Sequence, residues 1–281
     1  MKSWKKIKIL ILTLGTIALL TACGSKEKAT DSTSGELETK VIGVAAGPYG
    51  DMVTEIISPL LADEGYQLTT KVFNDYVQPN KALANHQIDG NVFQHGTYLE
   101  QFASDNLLEL TALDQVPTLG MGLYSKKISD LAEIEEGAQI AIPNDAVNLA
   151  RALQLLAAND LVELKPEINV AKATTDDIVA NPKNLEFKTL EAAQLVRAQD
   201  TVVVAVIPGN YSWAAELDPA DALALEDLAE AYKNVFVVAT EKKDEDFATA
   251  VAKVLASQEF QSAIAESEFK DFSQPSDWAN K

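Results

Sequence analysis

Only two of the 23 basic residues in this 281-residue chain are arginine, Arg151 and Arg197. Arginine is the side chain best shaped to take a carboxylate. Arg151 closes the run Asn144-Asp145-Ala146-Val147-Asn148-Leu149-Ala150-Arg151. With Asp145 as N-cap, a helix starting there sets Asn148 and Arg151 one turn apart on one face. The guanidinium could then hold a carboxylate through two parallel hydrogen bonds, with the amide assisting and the helix N-terminus favouring an anion. A surface salt bridge fits the same spacing. Arg197 follows Glu191 by six residues and is expected to make a structural ion pair.

A second group is aromatic. Phe73, Tyr76, Phe93, His95 and Tyr98 bring four rings and an imidazole into one short region. If they converge they could wall a slot for an apolar or sulfur-containing side chain. Packing of Phe73 and Phe93 in the core, with His95 capping a strand, is the alternative. His86 is expected to be exposed. Catalysis finds no matching constellation: there is no Gly-x-Ser-x-Gly elbow, no phosphate loop and no Gly-x-Gly-x-x-Gly turn. Gly47-Pro48-Tyr49-Gly50 has the wrong spacing for a dinucleotide. One cysteine and two histidines argue against a metal site. The expectation is a binding protein that is not an enzyme and uses neither cofactor nor metal.

Alternating strands and helices must position these groups, the pattern of an α/β fold. Strands are predicted over 41–46, 68–73, 90–93, 139–142, 185–190, 201–207 and 234–239. Helices are predicted over 52–64, 80–85, 97–104, 148–159 and 247–266, with stops at Gly65 and Asn159. Polar sequence follows four strands: Asn74-Asp75-Tyr76, Gln94-His95, Pro143-Asn144-Asp145 and Pro208-Gly209-Asn210-Tyr211. Strand ends of open α/β sheets are where ligands bind, although the same residues also form plain turns.

Charge and the first segment bound the setting. Forty-two acidic residues against 23 basic ones give a net charge of −19, which repels phosphate backbones and excludes nucleic acid as the main partner. Residues 1–22 read as an export signal: Lys2, Lys5, Lys6 and Lys8 precede the apolar run Ile9–Leu20, too short for an ordinary membrane span. Cys23 follows as Leu20-Thr21-Ala22-Cys23, the spacing of a bacterial lipobox, and would carry the lipid. Residues 23–40 read as the lipidated cysteine and a flexible tether.

Phe73-Asn74-Asp75-Tyr76-Val77-Gln78-Pro79-Asn80, Asn91-Val92-Phe93-Gln94-His95, and Pro143-Asn144-Asp145 with Asn148 and Arg151 resemble the NlpA family, the methionine-binding lipoproteins of ABC importers. Asn181-Pro182-Lys183-Asn184-Leu185 and the ending Ser276-Asp277-Trp278 are similar too. The resemblance implies a two-lobed α/β fold of the periplasmic-binding-protein kind, type 2-like, with a ligand cleft between the lobes. Lobe 1 would comprise 41–122 plus 236–281 and lobe 2 123–235, with crossing strands near Gly120–Lys126 and Val235–Glu241. It implies that Arg151 and Asn148 hold the carboxylate of an amino acid and that Tyr76, Phe93, His95 and Tyr98 line its side-chain pocket. The family commonly has an asparagine directly after the strand matching Val202–Ile207, where this chain has Pro208. Either Asn210 takes that place from two residues along or the contact to the ligand's ammonium is lost. The expected site is therefore Tyr76, Phe93, His95, Tyr98, Asn144, Asn148, Arg151 and Asn210. The implied ligand is methionine, with another apolar amino acid, D-methionine or a methionine-containing dipeptide as alternatives. The implied partners are an ABC permease, its ATPase and the cell membrane, with the protein lipid-anchored and facing outward. A surface adhesin is the competing class.

Overall fold

A computed structural model describes residues 36–166 and 172–280. The export segment 1–22, the lipidation site Cys23 and most of the tether lie outside the described residues. The tether ends earlier than its polarity suggests. Strand β1 (Glu38–Ala45) already begins at Glu38, because all eight of its residues pair in parallel with β2 (Tyr66–Phe73). Lys40, which looked like tether, extends its ammonium over the Tyr66 and Phe247 rings at 5.8 and 5.3 Å.

Between β1 and β2 the chain is helical from α1 (Tyr49–Asp51) through a π-helical stretch (Met52–Ile57) to α2 (Ser58–Leu61). Met52, Val53, Ile56, Ile57 and Leu61 supply its buried face, and Gly65, at φ +89°, ends the run as expected. Next come α3 (Gln78–Ala84), β3 (Gly90–His95), α4 (Gly96–Asn106) and β4 (Leu110–Gln115). The second lobe holds β5 (Gly122–Tyr124), β6 (Gln139–Pro143) and α5 (Ala146–Ala158), then a small antiparallel pair, β7 (Glu163–Leu164) with β8 (Ile178–Ala180). It continues with β9 (Glu186–Leu190), α6 (Leu195–Ala198), β10 (Val204–Ile207), α7 (Gly209–Ala214) and β11 (Ala224–Leu225). The chain then returns to the first lobe through β12 (Asn234–Ala239), α8 (Asp246–Leu255) and α9 (Gln258–Ala265).

Two five-stranded sheets result, ordered β2-β1-β3-β12-β4 and β11-β5-β10-β6-β9. Each has its own core. Ile42, Met52, Ile57, Phe236, Phe247 and Phe260 fill the first, and Ile140, Ile142, Leu153, Leu156, Val204 and Val206 the second. The predicted helix 247–266 is two helices, because Ser257 accepts the Phe260 N–H at 3.1 Å and caps α9 anew. The predicted strand 201–207 starts only at Val204.

The crossings differ from expectation. β5 belongs wholly to the second sheet and β12 to the first, so the expected strands at 120–126 and 235–241 do not bridge the lobes. The chain passes over 116–121 and returns over 226–233. The two passages are tied at both ends: Val116 N donates to Asn234 O at 2.8 Å and Glu226 N to Met121 O at 2.9 Å. They carry too few ladder bonds to count as strands and form two tethered segments between the sheets.

Candidate functional site

On the first lobe, the turn after β2 is set by Asp75, whose Oδ1 accepts the Val77 and Gln78 N–H groups at 2.8 and 2.7 Å. That turn places Tyr76 over the cleft. β3 is buried at every position and delivers Phe93 and His95; α4 delivers Tyr98. The Tyr76, Phe93 and Tyr98 ring centroids lie 5.9 to 6.3 Å apart. This is the spacing of a packed aromatic wall. Beneath it Asn80, Asn91 and Gln94 form a buried amide cluster: Gln94 Nε2 donates to Asn80 Oδ1 at 2.6 Å and to Asn91 Oδ1 at 3.0 Å. With their hydrogen bonds made inside the lobe, these amides fix β3 and hence Phe93. Phe73 is not part of the wall. It packs instead with Ala82, Leu83 and Ile88, further along the same face of the sheet.

On the second lobe, Asp145 caps α5 as expected, accepting Asn148 N at 2.9 Å and Asn148 Nδ2 at 3.1 Å. Burial raises the Asp145 carboxyl above its ordinary value. Asn148 and Arg151 stand one turn apart, 4% and 5% exposed. Arg151 already has a partner that the sequence reading did not foresee. Its Nε donates to Glu226 Oε1 at 2.6 Å and its Nη2 to Glu226 Oε2 at 2.5 Å. Glu226 is held in turn by Met121 N–H at 2.9 Å. The Tyr232 ring lies over the guanidinium at 5.1 Å. Burial opposes the charge on Arg151, but the Glu226 carboxylate outweighs it and raises the guanidinium further. A guanidinium has five N–H donors, so the opposite edge, Nη1 with the outer N–H of Nη2, remains for a carboxylate.

Two residues reach across the cleft. Tyr76 O–H donates to Asn210 Oδ1 at 2.6 Å, and Asn210 Nδ2 donates to Ala46 O at 2.8 Å. His95 Nδ1 accepts the Tyr98 N–H at 3.1 Å, so its proton sits on Nε2 and is donated to Asn148 Oδ1 at 3.2 Å. Burial, reinforced by the Arg151 charge, pushes the imidazole down to about 3, so it is neutral at neutral pH. The approach between lobes is close. At Gly47, with φ +133°, a Cβ would sit 2.6 Å from Asn210 O, and at Gly209 it would sit 2.3 Å from Leu119 O.

The walls line a narrow chamber with about 30 Å3 of free space, the two lobes standing close together around it. Seven of the eight expected residues line it: Tyr76, Phe93, His95, Tyr98, Asn148, Arg151 and Asn210. Asn210 therefore stands at the cleft despite Pro208 in the preceding position. Asn144 does not line the chamber. It is exposed, donates to Glu191 Oε1 at 3.0 Å, and sits in an outer hollow with Asp75 and Tyr211. Glu191, expected near Arg197, serves Asn144 instead. His86 is exposed as expected. The sequence reading missed Tyr49, Thr118 and Glu226. Tyr49 lines the chamber at 1% exposure, and burial pushes its hydroxyl up to about 12. The signal available for Tyr49 was a Gly-Pro-Tyr-Gly turn directly after a buried strand.

Comparison with known proteins shows what the chain is similar to. The family model described as NlpA lipoprotein matches residues 41–276. Outer membrane lipoprotein 2 of Mannheimia haemolytica is 35% identical over 264 residues, covering 92% of this chain and 95% of the relative. The D-methionine-binding lipoprotein MetQ of Escherichia coli K12 is 37% identical over 235 residues, 82% of this chain and 83% of that one. Among solved structures, a nutrient-binding protein from Burkholderia cenocepacia bound to methionine superposes with a TM-score of 0.77 at 36% identity, covering 83% of this chain and 97% of the other.

Proposed function

The chain belongs to the NlpA lipoprotein family, and on that premise we propose that it captures methionine or a close relative between its lobes and delivers it to an ABC permease driven by an ATPase. The observation that carries this reading is the meeting of two unlike walls in one chamber. Aromatic rings from the first lobe face a carboxylate-binding edge of Arg151 from the second. Arg151 with Asn148 takes the ligand's carboxylate, Asn210 offers a neutral acceptor for its ammonium, and Tyr76, Phe93 and Tyr98 pack its side chain. Asn144 has no place in that set.

The mechanism is a change in the balance between open and closed lobes. A ligand touching both walls makes its full set of contacts only when the cleft is shut, so it favours closure by that difference. His95 and Asn210 bond across the same cleft and set the closed geometry. The proposal extends to an anchor at Cys23 that holds the protein on the outer side of the cell membrane through its lipid. Binding without catalysis is the reading that the relatives' names support.

The test is a thermal-shift screen of the purified protein against amino acids, with mass spectrometry of any ligand it carries on purification. A tight ligand in large excess should stabilise by several kcal/mol, on the order of 4 kcal/mol at a thousandfold excess over Kd. No shift with either enantiomer of methionine or with other apolar amino acids would overturn the proposal.

A further inference from the structure

Among the described residues Arg151 is the only charged side chain lining the chamber, and its charge is already matched. Glu226 grips the Nε/Nη2 edge from behind, and the side chains are 6% and 9% exposed. His95, which also touches the chamber, is neutral. The next carboxylate to face the region, Asp145 at the start of α5, is bonded to Asn148 and lines the outer hollow. The other polar groups used above (Asn148, Asn210 and the tyrosine hydroxyls) are uncharged.

An unpaired arginine here would leave a buried positive site and favour any simple carboxylate. Paired with Glu226 it becomes a hydrogen-bonding fork without net charge. A monoanion docking on it leaves one negative charge uncompensated in a buried space, which is strongly unfavourable. Asp145 adds to that bias. A ligand carrying its own ammonium beside the carboxylate avoids the penalty, because it brings no net charge.

We infer that Glu226 cancels the charge of Arg151 and thereby restricts the chamber to ligands of zero net charge, admitting a zwitterionic amino acid and rejecting the 2-hydroxy or 2-oxo acid with the same side chain. The inference rests on the amino-acid reading above and adds a charge rule to it. Glu226 acts through Arg151 and is a positioning residue. Through the Met121 N–H it is also tied to the other passage between the lobes.

The experiment is calorimetric titration of the purified full chain with methionine and with 2-hydroxy-4-(methylthio)butanoate, in wild type, Glu226→Gln and Glu226→Asp. Wild type should prefer the amino acid by about a hundredfold or more. In Glu226→Gln the amide oxygen can still accept from Nε while the charge is gone. The hydroxy acid should then bind about tenfold more tightly than it binds wild type, narrowing the gap. Glu226→Asp keeps the charge and should keep the wild-type preference even where both affinities fall. A merely structural role for Glu226 would weaken both ligands by one factor in Glu226→Gln, and that result overturns the inference. Equal binding of both ligands by wild type, or loss of the preference in Glu226→Asp, overturns it too, and leaves the amino-acid reading standing. If Glu226→Gln does not fold, the wild-type ratio and Glu226→Asp still decide. Binding of neither methionine nor any other amino acid by wild type overturns the underlying reading, and the inference falls with it.

Discussion

The two walls of the chamber are built by opposite means. The first-lobe wall is aromatic, and its precision comes from below: a buried triad of amides fixes β3, and Phe93 and His95 ride on that strand. The second-lobe wall is polar, and its precision comes from the side: Asp145 orients Asn148, and Glu226 orients Arg151 from a segment 75 residues further along the chain. Apolar contact is non-directional and supplies attraction roughly in proportion to area. Charged hydrogen bonds are directional and supply orientation. A site that must hold a small ligand in one pose and also close around it benefits from having each kind on a separate lobe.

The sharpest way to break this division is Arg151→Ala. It removes the carboxylate fork and leaves Glu226 buried without its partner, so methionine affinity should fall tenfold or more. The same variant should lose thermal stability, by up to about 3–5 kcal/mol for a fully buried pair. Calorimetry and a melt read both effects, and unchanged affinity would remove Arg151 from the site. Phe93→Ala on the opposite wall should weaken binding by about tenfold through lost aromatic contact, with no change in the preference between methionine and its hydroxy acid. A changed preference there would mean that the walls do not divide their work as described.

A smaller effect is expected at the seam. Tyr76→Phe keeps the ring and removes only the hydroxyl bond to Asn210. One net hydrogen bond corresponds to about 0.5–1.5 kcal/mol, a few-fold in affinity, readable in a titration beside wild type. The least effect is expected from pH. His95 titrates near 3 in the folded protein, well below its ordinary 6.5, so affinity measured from pH 7.5 to pH 5 should stay flat. Stability should not. The unfolded chain takes up the His95 proton first, so His95 costs stability progressively as pH falls from about 6.5 towards 3. A His95→Gln variant should show a shallower acid decline in melting temperature than wild type.

The two walls were also unequally legible in the sequence. Arg151, Asn148 and the cap Asp145 lie within seven residues, and the helix repeat alone puts them on one face. Tyr76, Phe93 and His95 sit at or just after strand ends with recognisable turn chemistry, and Tyr98 follows in the first turn of α4, which is why the first wall was readable. Glu226 was not. It lies in Leu225-Glu226-Asp227, one acid among 42, and only the fold brings it to Arg151. Asn144 misled for the converse reason: it stands at a strand tip, but its side chain turns outward to Glu191. β5 and β11, three and two residues long, are below the length at which alternation is visible. β4 was hidden because its one ladder partner in the sheet, β12, follows more than a hundred residues later. The crossings were misplaced for the same reason, since which sheet a short strand joins is decided by long-range pairing.

A crystal structure of the methionine complex tests the central claim most directly. The account predicts the ligand's carboxylate on the Nη1 edge of Arg151, with Glu226 still holding the opposite edge and the thioether among the Tyr76, Phe93 and Tyr98 rings. A ligand lying in the reverse sense, with its carboxylate at the aromatic wall, or bound outside the chamber altogether, would contradict it.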